Sequence, residues 1–340
     1  MLFYPPVIAL LKNSALAVVG RAASYLPAFT SRQTSPALGI IMVHGVHQEC
    51  SATPLCPPSS NVSFPSFQSN IQGAARRFTF ISMDEAISMI DGYSPWKPRC
   101  LVLTFDDSLS CFSESVGPAL ARWGIPATFY VSTEVIETQR PYWWLRLEYA
   151  AFHIQRQSLD IVVPEVGRFV LRPGGGSEMR RLKAVLRCSS SALCEQVVSE
   201  IEARVSVALS NRTVEYPFGR IMSWQDVTSL HTSGFAVGSH TVTHSNLSLL
   251  SQAELDFELV ESRRSIELHT GTSCHHLCYP YGDYSDEVSF RARFAGYRSA
   301  VTTDGPGWNH PSSDLFRFRR FAIPTQAYRL SFVLSHFGKS

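Results

Sequence analysis

Apolar, β-branched runs alternate with helix-like stretches along most of the chain, and several of the runs end on residues that carry chemistry. This alternation constrains the fold more than any other feature, because strands separated by helices return parallel through right-handed crossovers. "LGIIMVH" (38–44), "CLVLTF" (100–105) and "PATFYV" (126–131) read as strands, with a helix over 112–124 closed by Gly124. Ser223 reads as the N-cap of a helix that ends at Gly234, and Ser251 with Glu254 forms a capping box for the helix that follows. Further strands are expected at 235–240, 276–280, 297–303 and 319–324, with a helix over 286–296. The pattern predicts an α/β barrel rather than two separate halves.

Two regions break the rhythm. Residues 47–75, rich in Pro, Ser and Cys, read as a long loop. Residues 140–220 read as an insertion over one end of the barrel, made of a helix, a small hairpin and one or two amphipathic helices. The domain reading is therefore an N-terminal amphipathic segment over 1–36 and a barrel over 37–330 that carries the insertion. The N-terminal segment has Lys12 in its middle and no basic residue before it, which does not fit an ordinary secretory signal. It is expected to pack on the protein or touch a membrane surface, placing the chain in the cytoplasm or at the membrane periphery. An atypical signal leading to the cell envelope is the alternative.

Composition excludes some functions. A net charge of +2 without a long basic run argues against a nucleic-acid partner. Eight cysteines in 340 residues are too dilute for a disulfide scaffold. Cys274 and Cys278 flank His275 and His276, yet no second Cys pair completes a zinc site, and buried thiols are expected there.

The first chemical signal is "LTFDDSLS" (103–110), where a buried run ends on Asp106 and Asp107. Adjacent carboxylates repel unless a cation or donors relieve them, so they either cap a turn or hold a positive ion. The second is "SHTVTH", with His240 and His244 placed after a strand so that both imidazoles can aim at one point. Two neutral imidazoles and one carboxylate would leave a tetrahedral metal one open position. The third is "CYPYGDYS", where Pro280 and Gly282 fix a tight turn around Tyr281.

Together these stretches resemble the polysaccharide deacetylase family, the NodB-type carbohydrate esterases: "TFDDS" is similar to its TFDDG motif, "SHTVTH" to H-[ST]-x-x-H and "YPYG" to R-x-P-Y-G. The resemblance spans roughly residues 38–325 and implies a distorted (β/α)7 barrel. It also implies a metal-dependent hydrolase that removes N-acetyl groups from amino sugars of a polysaccharide, oligosaccharide or lipid-linked glycan. Carried across, Asp107, His240 and His244 would hold one divalent ion, zinc before cobalt or nickel. Asp106 would be the general base and Tyr281 would offer its backbone N–H to the oxyanion. Tyr281, Trp144 and Arg320 are the residues expected to face an N-acetylated glycan.

The sequence departs from the family pattern in three places. Ser108 replaces a glycine, which is tolerable where φ stays negative. Cys278 stands where an arginine usually supports the base, leaving Arg319 or Arg320 as substitutes. No Leu-x-His motif follows the third signal, but Met42-Val43-His44 resembles it, moved to the first strand. In a closed barrel that strand neighbours the last one, so His44 is expected to be the catalytic acid. Two rival functions remain at this point: a metal-dependent hydrolase of another C–N amide bond, and a non-catalytic carbohydrate-binding relative.

Overall fold

The computed structural model describes residues 36–47, 61–154, 158–172, 176–205, 220–327 and 329–336. Seven strands form the path of its main sheet. They are β1 (Leu38–Val43), β2 (Cys100–Phe105), β3 (Thr128–Val131), β4 (Ala236–Ser239), β5 (His276–Cys278), β6 (Ser299–Val301) and β7 (Phe321–Ala322). They lie in the order β6-β5-β4-β3-β2-β1-β7, and every pairing is parallel. A short strand, Thr79–Phe80, pairs alongside the start of β2. Phe318, just ahead of β7, makes a parallel bridge to Val301 of β6. The segment running into β7 thus touches both edges of the curled sheet, and the first and last strands are neighbours, as in a distorted (β/α)7 barrel.

Side-chain alternation along the strands separates two surfaces. Leu101, Leu103 and Phe105 of β2 pack outward in one cluster with Phe112, Phe129 and Phe235, and the Phe105 and Phe129 rings stack at 4.8 Å. Cys100 and Val102 belong to another cluster with Leu38, Ile40, Tyr130, Cys278, Val301 and Phe318, joined by Met83, Ala86 and Ile87 of the helix Met83–Ile90. Thr104 and Asp106 continue the Val102 row, so period two turns Asp106 to the inside of the sheet.

The predicted capping box of Ser251 with Glu254 forms, the expected N-cap Ser223 proves to make a second one with Asp226, and Gly124 caps its helix at φ 64°. The loop expected over 47–75 is corrected for its second half. Asn61–Ser63 is a short strand and Phe64–Ala75 a helix, with Ser63 as N-cap and Pro65 in the first turn. Phe67, Ile71 and Ala74 are its buried face, a helical spacing hidden in a Pro- and Ser-rich stretch. The helix Met83–Ile90 was not anticipated either.

The insertion contains the helix Trp143–Phe152, an antiparallel hairpin of Leu159–Val163 with Gly167–Leu171, and the helices Ser177–Arg187 and Ser191–Arg204. It has its own apolar core. At its centre the buried Arg146 pairs with Glu195 and Glu202 at 2.8 and 2.6 Å. The amphipathic segment expected over 1–36, and the membrane contact assigned to it, fall outside the described residues apart from Pro36. Among the described residues no helix is long and apolar enough to cross a membrane.

Candidate active site

The strand register assembles the site. Asp106 N–H donates to the Val43 carbonyl at 3.0 Å and His240 N–H to the Val131 carbonyl at 2.8 Å. The residues that follow β1, β2 and β4 are thereby held at one end of the barrel, the carboxyl ends of its strands. Backbone strain concentrates there. Of the eight non-glycine residues with positive φ among those described, Asp107, Ser108, Thr241, His244 and Tyr281 belong to the three site loops. Such conformations persist only where the surroundings over-determine them, and here they do. The Ser108 hydroxyl accepts from Ser132 N–H at 2.9 Å, and the Ser132 hydroxyl donates to the His240 carbonyl at 2.9 Å. The buried Glu258 carboxylate accepts from the Val242 and Thr243 N–H groups at 2.8 and 3.0 Å. The expectation for Ser108 is corrected: its φ is 51°, so the position does demand the left-handed region. A hydroxyl that ties two loops together offsets the strain glycine would have avoided.

Asp107, His240 and His244 converge. Asp107 Oδ1 lies 3.5 Å from His240 Nε2 and 3.6 Å from His244 Nε2, and the two Nε2 atoms are 3.1 Å apart. His240 Nδ1 sits 2.8 Å from the Cys278 carbonyl. A carbonyl only accepts, so Nδ1 carries a proton. Cys278 and Asp107 raise the pKa of this buried ring above the usual imidazole value, and a cation bound at Nε2 would displace the second proton. Burial, with His240 alongside, pushes the His244 pKa down to about 3 and keeps that ring neutral. Two imidazole nitrogens and a carboxylate oxygen aimed at one point are a donor set that a zinc-like divalent cation fits.

A second group, Asp106, His240 and Cys278, also clusters, but a guanidinium already occupies that side. Arg320 Nη1 donates to Asp106 at 2.9 Å, and its Nη2 lies 3.2 Å from Cys278 Sγ, which in turn donates to Asp106 at 3.5 Å. A further cation there would face the guanidinium charge. Burial alone would raise the Asp106 carboxyl, yet Arg320, with His240 and His44, holds it well below the usual carboxylate range. Cys278 and Arg320 are thus complementary: the small thiol leaves room for a guanidinium arriving from beside the last strand. Arg320→Met would leave Asp106 buried without its partner, and is expected to destabilise the fold by about 3–5 kcal/mol. Denaturant titration reads this directly, and a loss under about 1 kcal/mol would show that Asp106 is held by other groups.

The structure brings most of the expected residues together. His44 Nε2 stands 3.8 Å from Asp106 Oδ2 with its side chain partly open. Tyr281 occupies a left-handed turn beside His244, ring centroids 4.8 Å apart. One expectation is corrected. Arg320 is 3% exposed and locked behind Asp106, so it does not face a substrate, while Arg319 is exposed. Trp144 stacks on Tyr142 at 4.3 Å and leans on His244 at 4.7 Å, leaving Trp143 to line the neighbouring cavity of about 170 Å³. Cys274 and Cys278 are buried free thiols. Sequence reasoning missed Glu258, whose only signal was a carboxylate at a core position of an amphipathic helix. It also missed Arg187, which carried no signal.

The profile of the polysaccharide deacetylase family matches residues 94–300. A chitooligosaccharide deacetylase of Sinorhizobium fredii is 28% identical over 92 residues, 26% of this chain and 43% of that protein. The match therefore spans less than half of that relative's length. Among solved structures, the deacetylase PplD of Streptococcus pyogenes, in complex with acetate, superposes with a TM-score of 0.59 at 16% identity. That superposition covers 90% of this chain and 100% of that one. IcaB of Ammonifex degensii gives a TM-score of 0.54 at 15% identity over 90% and 98%. At these identities the structural likeness establishes the fold.

Proposed function

From the premise that the chain belongs to the polysaccharide deacetylase family, whose members hydrolyse carbon–nitrogen bonds other than peptide bonds, we propose that it removes N-acetyl groups from amino sugars of a glycan with the help of one divalent ion. The observation that carries this reading is the convergence of Asp107, His240 and His244 beside a separately held Asp106. Zinc is the proposed ion, cobalt and nickel the alternatives, because two imidazoles and one carboxylate suit its borderline-soft character. When bound, such an ion supplies Lewis acidity toward the amide carbonyl and acidifies water.

The chain's own residues divide the remaining work. Asp106 Oδ2 accepts a proton from the attacking water, its geometry fixed by Arg320. The Tyr281 backbone N–H faces the oxygen on which negative charge develops, where a preorganised donor counts most. The departing amine needs a proton, and His44 Nε2, at the partly open mouth beside Asp106, delivers it. The direct test is acetate release from an N-acetylated chitooligosaccharide, with and without chelator. Activity that survives complete metal removal, or none in metal-loaded protein, would overturn the proposal.

His44→Ala is expected to keep fold and metal while losing about two to four orders of magnitude in kcat, the usual range for general acid catalysis. Its ring is partly exposed and joins no core cluster, so thermal stability should hardly change. A near-normal rate would transfer the acid role to another histidine.

A further inference from the structure

Tyr281 adopts φ 61°, ψ 0°, a conformation a side-chain-bearing residue does not hold unaided. Gly282 follows at φ 73°, and a Cβ there would meet Thr303 Oγ1 at 1.9 Å, so this position of the turn requires glycine. On the barrel side the Thr303 hydroxyl donates to the Tyr281 carbonyl at 3.0 Å and the Thr302 hydroxyl to the Gly282 carbonyl at 2.6 Å. The other restraints come from the insertion. Trp143 Nε1 donates to the Tyr281 hydroxyl at 3.2 Å. The Arg187 guanidinium lies over the Tyr281 ring at 4.9 Å, donates to the Tyr281 carbonyl at 3.1 Å and reaches Asp283 at 3.4 Å. Asp283 in turn accepts from Asn246, just after the histidine loop, at 3.0 Å.

We infer that Arg187 and Trp143 are positioning residues that hold Tyr281 in its left-handed turn, making the insertion a working wall of the active site rather than a cover over it. Each grips a different part of the same residue: the indole N–H fixes the hydroxyl end, and the guanidinium fixes both ring face and carbonyl. A backbone N–H aimed at a developing oxyanion is sensitive to small displacements, since misplacement by about 1 Å can cost about a hundredfold. The contact with Asp283 and Asn246 links the same clamp to the loop that carries His244. The catalytic part of the inference rests on the proposed role of the Tyr281 N–H, whereas the holding of the turn does not.

The experiment compares Arg187→Ala, Arg187→Lys and Trp143→Phe in the full chain. Arg187 is nearly half exposed, and phenylalanine keeps most of the indole's packing, so all three variants should fold. Hydrogen–deuterium exchange is read on the peptide covering 279–284, with metal content measured in parallel. Arg187→Ala and Trp143→Phe should each speed exchange there at least threefold, with metal content and exchange of the core strands unchanged. On the N-acetylated chitooligosaccharide, kcat should fall about ten- to a hundredfold with KM within threefold, and Arg187→Lys should recover part of it. Unchanged exchange at 279–284 would overturn the clamp. Faster exchange with an unchanged kcat would overturn its catalytic role. A wild-type protein without deacetylase activity would instead fail the proposed function, with the exchange data still deciding the clamp.

Discussion

Replacing Asp107, His240 or His244 singly with alanine is expected to give protein that retains no stoichiometric divalent metal after dialysis and has no measurable deacetylase activity. The donors lie 3.1–3.6 Å from one another, so each is a third of the site, and two remaining ligands do not hold such an ion tightly. Asp107 and His244 also have positive φ, and alanine is less tolerant of that region than aspartate, at a cost of about 1 kcal/mol. Thermal stability should therefore be measured beside metal content, and Asp107→Asn separates the two effects because asparagine tolerates the left-handed region. Elemental analysis of the purified variants settles the matter. Stoichiometric metal in all three alanine variants would show that the ion, if there is one, sits elsewhere.

Asp106→Asn is expected to do the opposite: metal stays, while kcat drops by about two to four orders of magnitude. Asparagine has the same shape and still accepts from Arg320, but it takes no proton. It also removes the charge that compensates a buried guanidinium whose partners are Asp106, Cys278, Thr104 and the Thr302 carbonyl. A stability loss is therefore expected as well, and the rate should be normalised to folded, metal-loaded protein. If Asp106→Asn loses metal while Asp107→Asn keeps it, the two carboxylates have exchanged roles.

These expectations depend on features of unequal visibility. The Asp106-Asp107 pair, the spacing of His240 and His244, and the Pro-Tyr-Gly turn stand in the chain as contiguous stretches. Local chemistry suffices to mark them: adjacent carboxylates demand an explanation, and proline and glycine announce a turn. His44 could be singled out only because it directly follows β1 and a barrel brings its first strand beside its last. The sequence offered no way to tell Trp143 from Trp144, because adjacent residues of one type are equivalent there. Helix phase points one indole at Tyr142 and His244 and the other at the cavity, and that phase depends on where the helix begins and what it packs on. The helix Phe64–Ala75 was missed because Pro and Ser suggested a loop, although Ser63 and Pro65 are ordinary features of a helix start.

The sequence by itself determined the α/β alternation and the strand ends that carry the chemistry, because these follow from short-range periodicity and residue chemistry, while the choice of Asp107 over Asp106 as the histidines' partner came from the family resemblance. Only the tertiary structure decided which arginine supports Asp106, how Ser108 tolerates its position, and what the insertion does. Arg320 and Asp106 are 214 residues apart and meet through strand order and side-chain alternation. Arg187 and Tyr281 are 94 residues apart and meet because the insertion folds back onto the strand ends. Contacts of that range are fixed by the whole packing of the chain, and no local pattern in either partner encodes the other.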